Sequence, residues 1–493
     1  MGWVAKRTNT RARMLTATTA ALGLAASLTG GSVATAASPS AAPAADDARP
    51  VLALTSVADR VTAYKYGRYI YVDLGAYLVA GDDSFEAITT RAPSYRTEPV
   101  TRVNGTEVPG MGGFGGLTDF LRLRVTDRDG AEVHDATSRM CLNRSSVRTR
   151  PDAPDTSGFP PGCQVNPFML GEVQGVEAGW GVSVPPGRSL HGVPLGRYDV
   201  TVAVTRQWRN IVGIDDADAV RTIRVRVVSG RDNCGPWCRS EGRHGDRTHD
   251  RELTPRAQEP SGHDAVPAGD HLPDLRSLPA WGINLSRNGK YLRFAANVWN
   301  AGPSPLVVDG FRRRGEALMD AYQYFYTADG TPAGSAQVGT MEWDDRDGHT
   351  HWHFTDFARY RLLDADLNAV VRSKKQAFCL VATDAIDLTL PGAEYRPWNT
   401  DLHSACGDFG ALAVREALPV GSGDTYQQSR PGQAFRVDDV PNGKYVIEVT
   451  ANPKANLEEP DTTNNTAYRR IRLSGSGADR KVTVYAKGLV TRN

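Results

Sequence analysis

The stretch Gly348-His349-Thr350-His351-Trp352-His353-Phe354-Thr355-Asp356-Phe357 sets three of the chain's ten histidines at alternate positions. Its flanks, Glu342-Trp343 before and Phe357-Ala358-Arg359-Tyr360-Arg361-Leu362-Leu363 after, are rich in aromatic and aliphatic residues and read as strand. Alternate side chains of a strand share a face, so His349, His351 and His353 point the same way. Three imidazoles on one face suit a borderline transition metal: Zn, Cu, Ni or Fe. A histidine-rich surface turn would not interleave Trp352 and Phe354 with its imidazoles. The stretch therefore predicts a β-strand that carries a metal centre.

Working outward, the same texture recurs. Tyr69-Ile70-Tyr71-Val72-Asp73-Leu74, Phe120-Leu121-Arg122-Leu123-Arg124-Val125 and Tyr198-Asp199-Val200-Thr201-Val202-Ala203-Val204 alternate in the strand manner, and turn residues separate such runs. Long helical periodicity is missing, so the fold class is all-β. At the start, Lys6, Arg7, Arg11 and Arg13 precede an apolar run from Met14 to Leu28 and a small-residue site at Ala34-Thr35-Ala36. These features predict a signal peptide over 1–36 and a secreted protein, followed by an Ala/Pro/Ser-rich linker over 37–49. No later run is apolar for long enough to span a bilayer. A net charge of +1 gives no reason to look for nucleic acid or another polyanion as partner. Six cysteines in an exported chain predict three disulfides, and local spacing pairs Cys141 with Cys163, Cys234 with Cys238, and Cys379 with Cys406.

Two modules are expected. The first covers 50–230, a polar tract over 231–271 links it to the second, and the second covers 272–473 with a tail over 474–493. The two echo each other. Gly67-Arg68-Tyr69-Ile70 answers Gly289-Lys290-Tyr291-Leu292, and Thr118-Asp119-Phe120 answers Thr355-Asp356-Phe357. Met140-Cys141-Leu142 answers Phe378-Cys379-Leu380, and Gly196-Arg197-Tyr198 answers Gly443-Lys444-Tyr445. Four anchors in one order imply a duplicated β-sandwich-like module. Continued backwards, the match sets Gly112, Phe114 and Gly116 against His349, His351 and His353. What the copies share is scaffold; what differs is the place to seek function.

On further motifs the second module resembles the lysyl oxidase catalytic domain, in a bacterial form. To the H-x-H-x-H segment it adds Lys375-Gln376-Ala377-Phe378-Cys379-Leu380, Asp424-Thr425-Tyr426, and Asn452-Pro453 followed by Glu459-Pro460-Asp461-Thr462-Thr463-Asn464-Asn465. The resemblance implies that His349, His351 and His353 bind copper. It also implies that Lys375 and Tyr426 join into lysine tyrosylquinone, a cofactor made from the chain itself. Such a group would supply the electron sink that oxidising a primary amine demands and standard side chains lack. The implied activity turns primary amines, peptidyl lysine among them, into aldehydes with O₂, releasing H₂O₂ and ammonia. A carboxylate serves as base in this chemistry; Asp424 is the candidate by closeness to Tyr426, with Asp356 second. The first module has Thr137-Ser138 near the Lys375 position, and Trp180 or Val184 against Tyr426, so it should be inert.

Glu459, Asp461, Asn464 and Asn465 offer oxygen ligands only, as a hard cation prefers. They resemble a calcium site found in the family, to which Asp274 and the Leu275 carbonyl would contribute. Two departures stand out. The second module holds only two cysteines, and Arg359 takes a place where animal enzymes carry His. The competing reading is a secreted copper-binding or wall-associated β-module without enzymatic activity.

Overall fold

In the strand Gly116–Asp127, Leu121, Leu123 and Val125 are buried while Arg122 and Arg124 are exposed and pair with Asp135 and Glu132 of the neighbouring strand. That inside-outside alternation, repeated along the chain, builds six sheets among the described residues. The computed structural model describes residues 51–486, apart from 93, 187–189, 231–258, 263, 328–331, 346–349, 374–376, 397–401 and 429–433. Among the described residues the only α-helix is Arg206–Val212, and no helix is long and apolar enough to cross a membrane. The protein is all-β. The proposed leader, the Cys234–Cys238 pair, His349 and Lys375 lie outside the described residues.

Three sheets draw their strands from before Gly230 and three from after Asp274, and each set encloses its own apolar core. The sets share a topology. In the first, Glu132–Met140, Gly116–Asp127, Gly196–Val204 and Val220–Ser229 lie side by side in that order. In the second, Ala369–Arg372, Ala358–Leu363, Gly443–Ala451 and Thr466–Ser474 repeat it. The last of these gains Lys481–Val484 as a further strand, so the sheet continues into the segment read as a tail. The order Gly171–Val176, Phe85–Thr90, Val100–Val103 likewise matches Ala413–Leu418, Leu306–Arg312, Leu318–Tyr326. Beyond these, the first copy adds only the two-residue strand Thr106–Glu107, whereas the second adds Pro332–Asp344 and, at its edge, the histidine strand His351–Phe354.

Local geometry keeps the same register. Asp119 and Asp356 both take left-handed backbone, at φ 48° and 58°, a conformation short polar side chains tolerate. The hydroxyls of Tyr198 and Tyr445 each donate to the carbonyl four residues upstream, on Pro194 and Pro441. Disulfides join Cys141 to Cys163 and Cys379 to Cys406. Gly179 and Gly421, at φ 71° and 78°, turn each copy into its next strand. With those two glycines superposed, Val184 falls opposite Tyr426, Val182 opposite Asp424, and Gln174 opposite Glu416.

The described residues form one compact unit, and the two halves share an apolar seam. Phe168 and Leu170 from the first pack with Leu278, Trp299 and Ile386 from the second, and Leu170 N–H donates to the Ile386 carbonyl at 2.7 Å. Part of the expected linker is also docked: Asp264 N–H donates to Ser335, whose N–H returns a bond to the Asp264 carboxylate. Backbone and carboxylate bonds, rather than buried apolar surface, hold it there.

Candidate active site

The histidine strand pairs antiparallel with the end of Pro332–Asp344, setting Asp344 opposite His351 and Glu342 opposite His353. Its inward anchor is Trp352, fully buried, with its indole N–H on the Asp408 carbonyl and its ring edge-on to Trp343. The imidazoles of His351 and His353 meet on the other face, ring centroids 4.6 Å apart. His353 is buried, and its Nδ1 lies 3.4 Å from an oxygen of Asp344. A carboxylate on Nδ1 fixes the tautomer that offers Nε2 to a metal. Two imidazoles on one face with an acid behind one of them suit a borderline transition metal, copper among them.

The next wall comes from the Phe378-Cys379-Leu380-Val381 segment. Phe354 and Phe378 exchange backbone hydrogen bonds of 2.8 and 3.0 Å, tying it to the histidine strand. Trp352 N–H donates to the Cys406 carbonyl, so both ends of the Cys379–Cys406 bridge are fixed against that strand. Three consecutive residues of the segment then hold three side chains. The Cys379 carbonyl accepts from the Tyr426 hydroxyl. The Leu380 N–H donates to Glu416 at 3.0 Å, and the Val381 N–H donates to Asp424 at 3.2 Å.

Tyr426 and Asp424 alternate on the strand Ser422–Gln428 and so share a face. The Tyr426 ring meets Phe378 edge-on at 4.5 Å, and its hydroxyl is also within hydrogen-bonding reach of Asp424. Burial pushes the Tyr426 phenol well above its usual range, and the Asp424 and Glu416 carboxylates add to the shift. Tyr360, fully buried on the strand Ala358–Leu363, is raised for the same reasons, burial first and Asp424 second. Glu416 has no exposed surface, and its carboxylate lies within 4.8 Å of both bridge sulfurs. With those sulfurs joined, the trio has no thiolates to offer a metal.

Of the residues singled out from the sequence, His351 and His353 lie on this strand and Tyr426 and Asp424 on the adjoining wall, whereas Glu416 and Asp344 were not singled out. A signal for each existed. Glu416 alternates with Val414 and Leu418, so an acid stands on the apolar side of its strand. Asp344 sits across the hairpin from the first described histidine. Asp356, the second candidate base, is in the turn after the histidine strand and pairs with Lys454 at 2.8 Å.

The oxygen-rich cluster assembles in part. Glu459 accepts from the side chains of Asn452 and Asn465, both at 2.6 Å, and from the Leu275 N–H at 2.9 Å. Asn464 donates to Asp274, whose other oxygen faces Arg276 at 2.7 Å. Leu275 thus meets Glu459 through its amide, and Asp461 spends its carboxylate on Thr463 in the turn. The side-chain oxygens of Asn464 and Asn465 are buried and have no partner among the described residues. Two carboxylates and two orphaned amide oxygens fit a hard cation, with Arg276 already offsetting part of the charge. Burial raises the Glu459 carboxyl, and Asp274 adds to it.

Comparison with known proteins finds the lysyl oxidase family model matching residues 321–484. Bovine lysyl oxidase homolog 4 (Bos taurus) is 29% identical over 140 residues, which is 28% of this chain and 16% of that protein. Zebrafish lysyl oxidase homolog 3B (Danio rerio) is 30% identical over 140 residues, again 28% and 16%. Lysyl oxidase homolog 2 of Xenopus tropicalis is 29% identical over 142 residues. The aligned region is therefore about a sixth of the length of these curated relatives.

Proposed function

We propose, from the lysyl oxidase family match over 321–484, that the second half is a secreted copper- and quinone-dependent amine oxidase. The substrate class is primary amines, with lysine side chains of proteins as members, and O₂ is the acceptor. The observation that carries the reading is the cluster on Cys379, Leu380 and Val381, which holds Tyr426 and Asp424 beside the histidine strand. The first half keeps the disulfide, the strands and the turns but has Val184 and Val182 at the matching places. It serves as the non-catalytic copy, over 50–230.

In this reading His349, His351 and His353 hold copper, and Lys375 and Tyr426 are the precursors of lysine tyrosylquinone. That group supplies a carbonyl electron sink for amine oxidation. The chain's own contributions are positional. The Cys379 carbonyl fixes the Tyr426 oxygen, Phe378 and Tyr360 keep water away, and an Asp424 carboxylate oxygen takes the proton from the carbon beside the substrate nitrogen. Asp274, Glu459, Asn464 and Asn465 hold calcium and pin the start of the second half to the Glu459–Asn465 turn.

The test is made on the full-length, copper-loaded protein. Mass spectrometry should find a peptide in which Lys375 is covalently joined to Tyr426, and adding a primary amine should release H₂O₂. Lys375→Arg keeps charge but not a nucleophilic amine, so it should keep copper and lose crosslink and peroxide alike. Lys374→Arg should be nearly silent. Bound copper without any crosslink under full aeration would overturn the enzyme reading and leave a secreted copper-binding module.

A further inference from the structure

We propose that Glu416 is a positioning acid of this site, holding a proton beside Asp424 so that Asp424 is the one charged carboxylate there. Its purpose rests on the amine oxidase reading; its test does not.

The duplication supplies the control. In the first half Gln174 occupies the same place, and its side-chain oxygen accepts from the Leu142 N–H at 2.9 Å. Glu416 does the same for the Leu380 N–H at 3.0 Å. Leu142 and Leu380 each follow the first cysteine of their bridge. An amide is thus sufficient for the structural task. The acid occurs only in the copy that has Asp424 and Tyr426 in place of Val182 and Val184.

The surroundings decide where the proton resides. Glu416 is fully buried; the Phe354 N–H, given to the Phe378 carbonyl, also approaches its carboxyl, and its second oxygen has no close hydrogen-bond partner among the described residues. An ionised carboxylate is costly in that position, whereas a protonated one carries no charge to solvate. Asp424 instead has the Val381 N–H on its charge and lies within reach of the Tyr426 hydroxyl, whose one proton it shares with the Cys379 carbonyl. The groups facing Glu416 are Asp424 and Tyr426 from Ser422–Gln428, with Tyr360 behind Asp424 and the uncharged disulfide alongside. On its own strand the neighbouring Arg415 turns to Asp309, at 2.6 Å. No cation among the described residues offsets a second negative charge, so a proton on Glu416 removes the repulsion between the two carboxyl groups. Burial, reinforced by the Asp424 charge, accordingly pushes the Glu416 carboxyl well above the ordinary range.

The experiment compares wild type with Glu416→Gln, which restores the first half's own residue and its hydrogen bond. Infrared difference spectra of the copper-free, full-length proteins at neutral pH should show a protonated-carboxyl band in wild type that Glu416→Gln lacks. In Asp424→Asn that band should titrate about one pH unit lower or more, the mark of a coupled pair. If Glu416→Gln leaves the spectrum unchanged, or Asp424→Asn does not move the titration, the proposal is overturned. In copper-loaded enzyme, Glu416→Gln should keep the crosslink but remove the alkaline limb of the kcat/KM profile, which a merely structural residue would not do. An inactive wild type with the infrared behaviour intact would sink the oxidase reading while leaving the proton on Glu416 standing.

Discussion

Removing the two described disulfides one at a time separates scaffold from site. The bridges close loops of 22 and 27 residues in equivalent places of the two copies. Chain entropy assigns each about 3.5 kcal/mol of stabilisation, with almost no difference between them. Cys141→Ala/Cys163→Ala and Cys379→Ala/Cys406→Ala should therefore lower the urea-unfolding free energy by similar amounts. Their chemical consequences should differ. Only the second bridge anchors the segment whose backbone holds Tyr426, Glu416 and Asp424, and only Cys406 receives the Trp352 N–H of the histidine strand. At equal folded fraction, checked by circular dichroism, Cys379→Ala/Cys406→Ala should lose most of the Lys375–Tyr426 crosslink and amine-dependent H₂O₂. Cys141→Ala/Cys163→Ala should retain both. Full crosslinking without the Cys379–Cys406 bridge, or its loss without the other, would refute the division between a catalytic copy and an inert one.

Asp344→Asn should weaken copper binding by about 10–100-fold in a chelator competition, as removal of a carboxylate behind a ligating imidazole does, while His353→Ala should abolish stoichiometric copper. Glu172, buried in the first half, has its carboxyl pushed up to about 7 by burial, against 4.5 ordinarily. The folded state therefore keeps a proton that the unfolded chain gives up, and stability is highest below the lower value. It falls by up to about 3 kcal/mol as pH rises through that window. Denaturant titrations at several pH values should find that Glu172→Gln removes this slope. Calcium at a hundred times its dissociation constant should stabilise the protein by about 2.7 kcal/mol, reversed by chelator and missing in Glu459→Gln.

The strands and the duplication were legible because period-two alternation and turn glycines are local properties that sequence records directly. The same holds for His351 and His353, whose spacing alone puts them on one face. For Glu416 the alternation with Val414 and Leu418 marks an inward-facing acid but not its partner. Its neighbours in sequence, Arg415 and Ala417, say nothing of the Leu380 N–H that meets it from 36 residues away. Nor does the sequence alone choose between Trp180 and Val184 as the counterpart of Tyr426; the positive-φ glycines Gly179 and Gly421 make that choice. Once the register is fixed, the two halves become a substitution experiment on one fold. Three apolar or amide residues, Val182, Val184 and Gln174, stand where the other copy has Asp424, Tyr426 and Glu416. All three acidic or phenolic groups are held by one run of backbone, Cys379 to Val381, at a place where the first copy needs only Leu142 and Gln174 to satisfy its hydrogen bonds. A scaffold indifferent to chemistry would have no reason to desolvate two carboxyl groups and a phenol together. Their cost to folding in one copy, and their replacement by Val, Val and Gln in the other, are the physical ground for the proposed division between a catalytic second half and an inert first half.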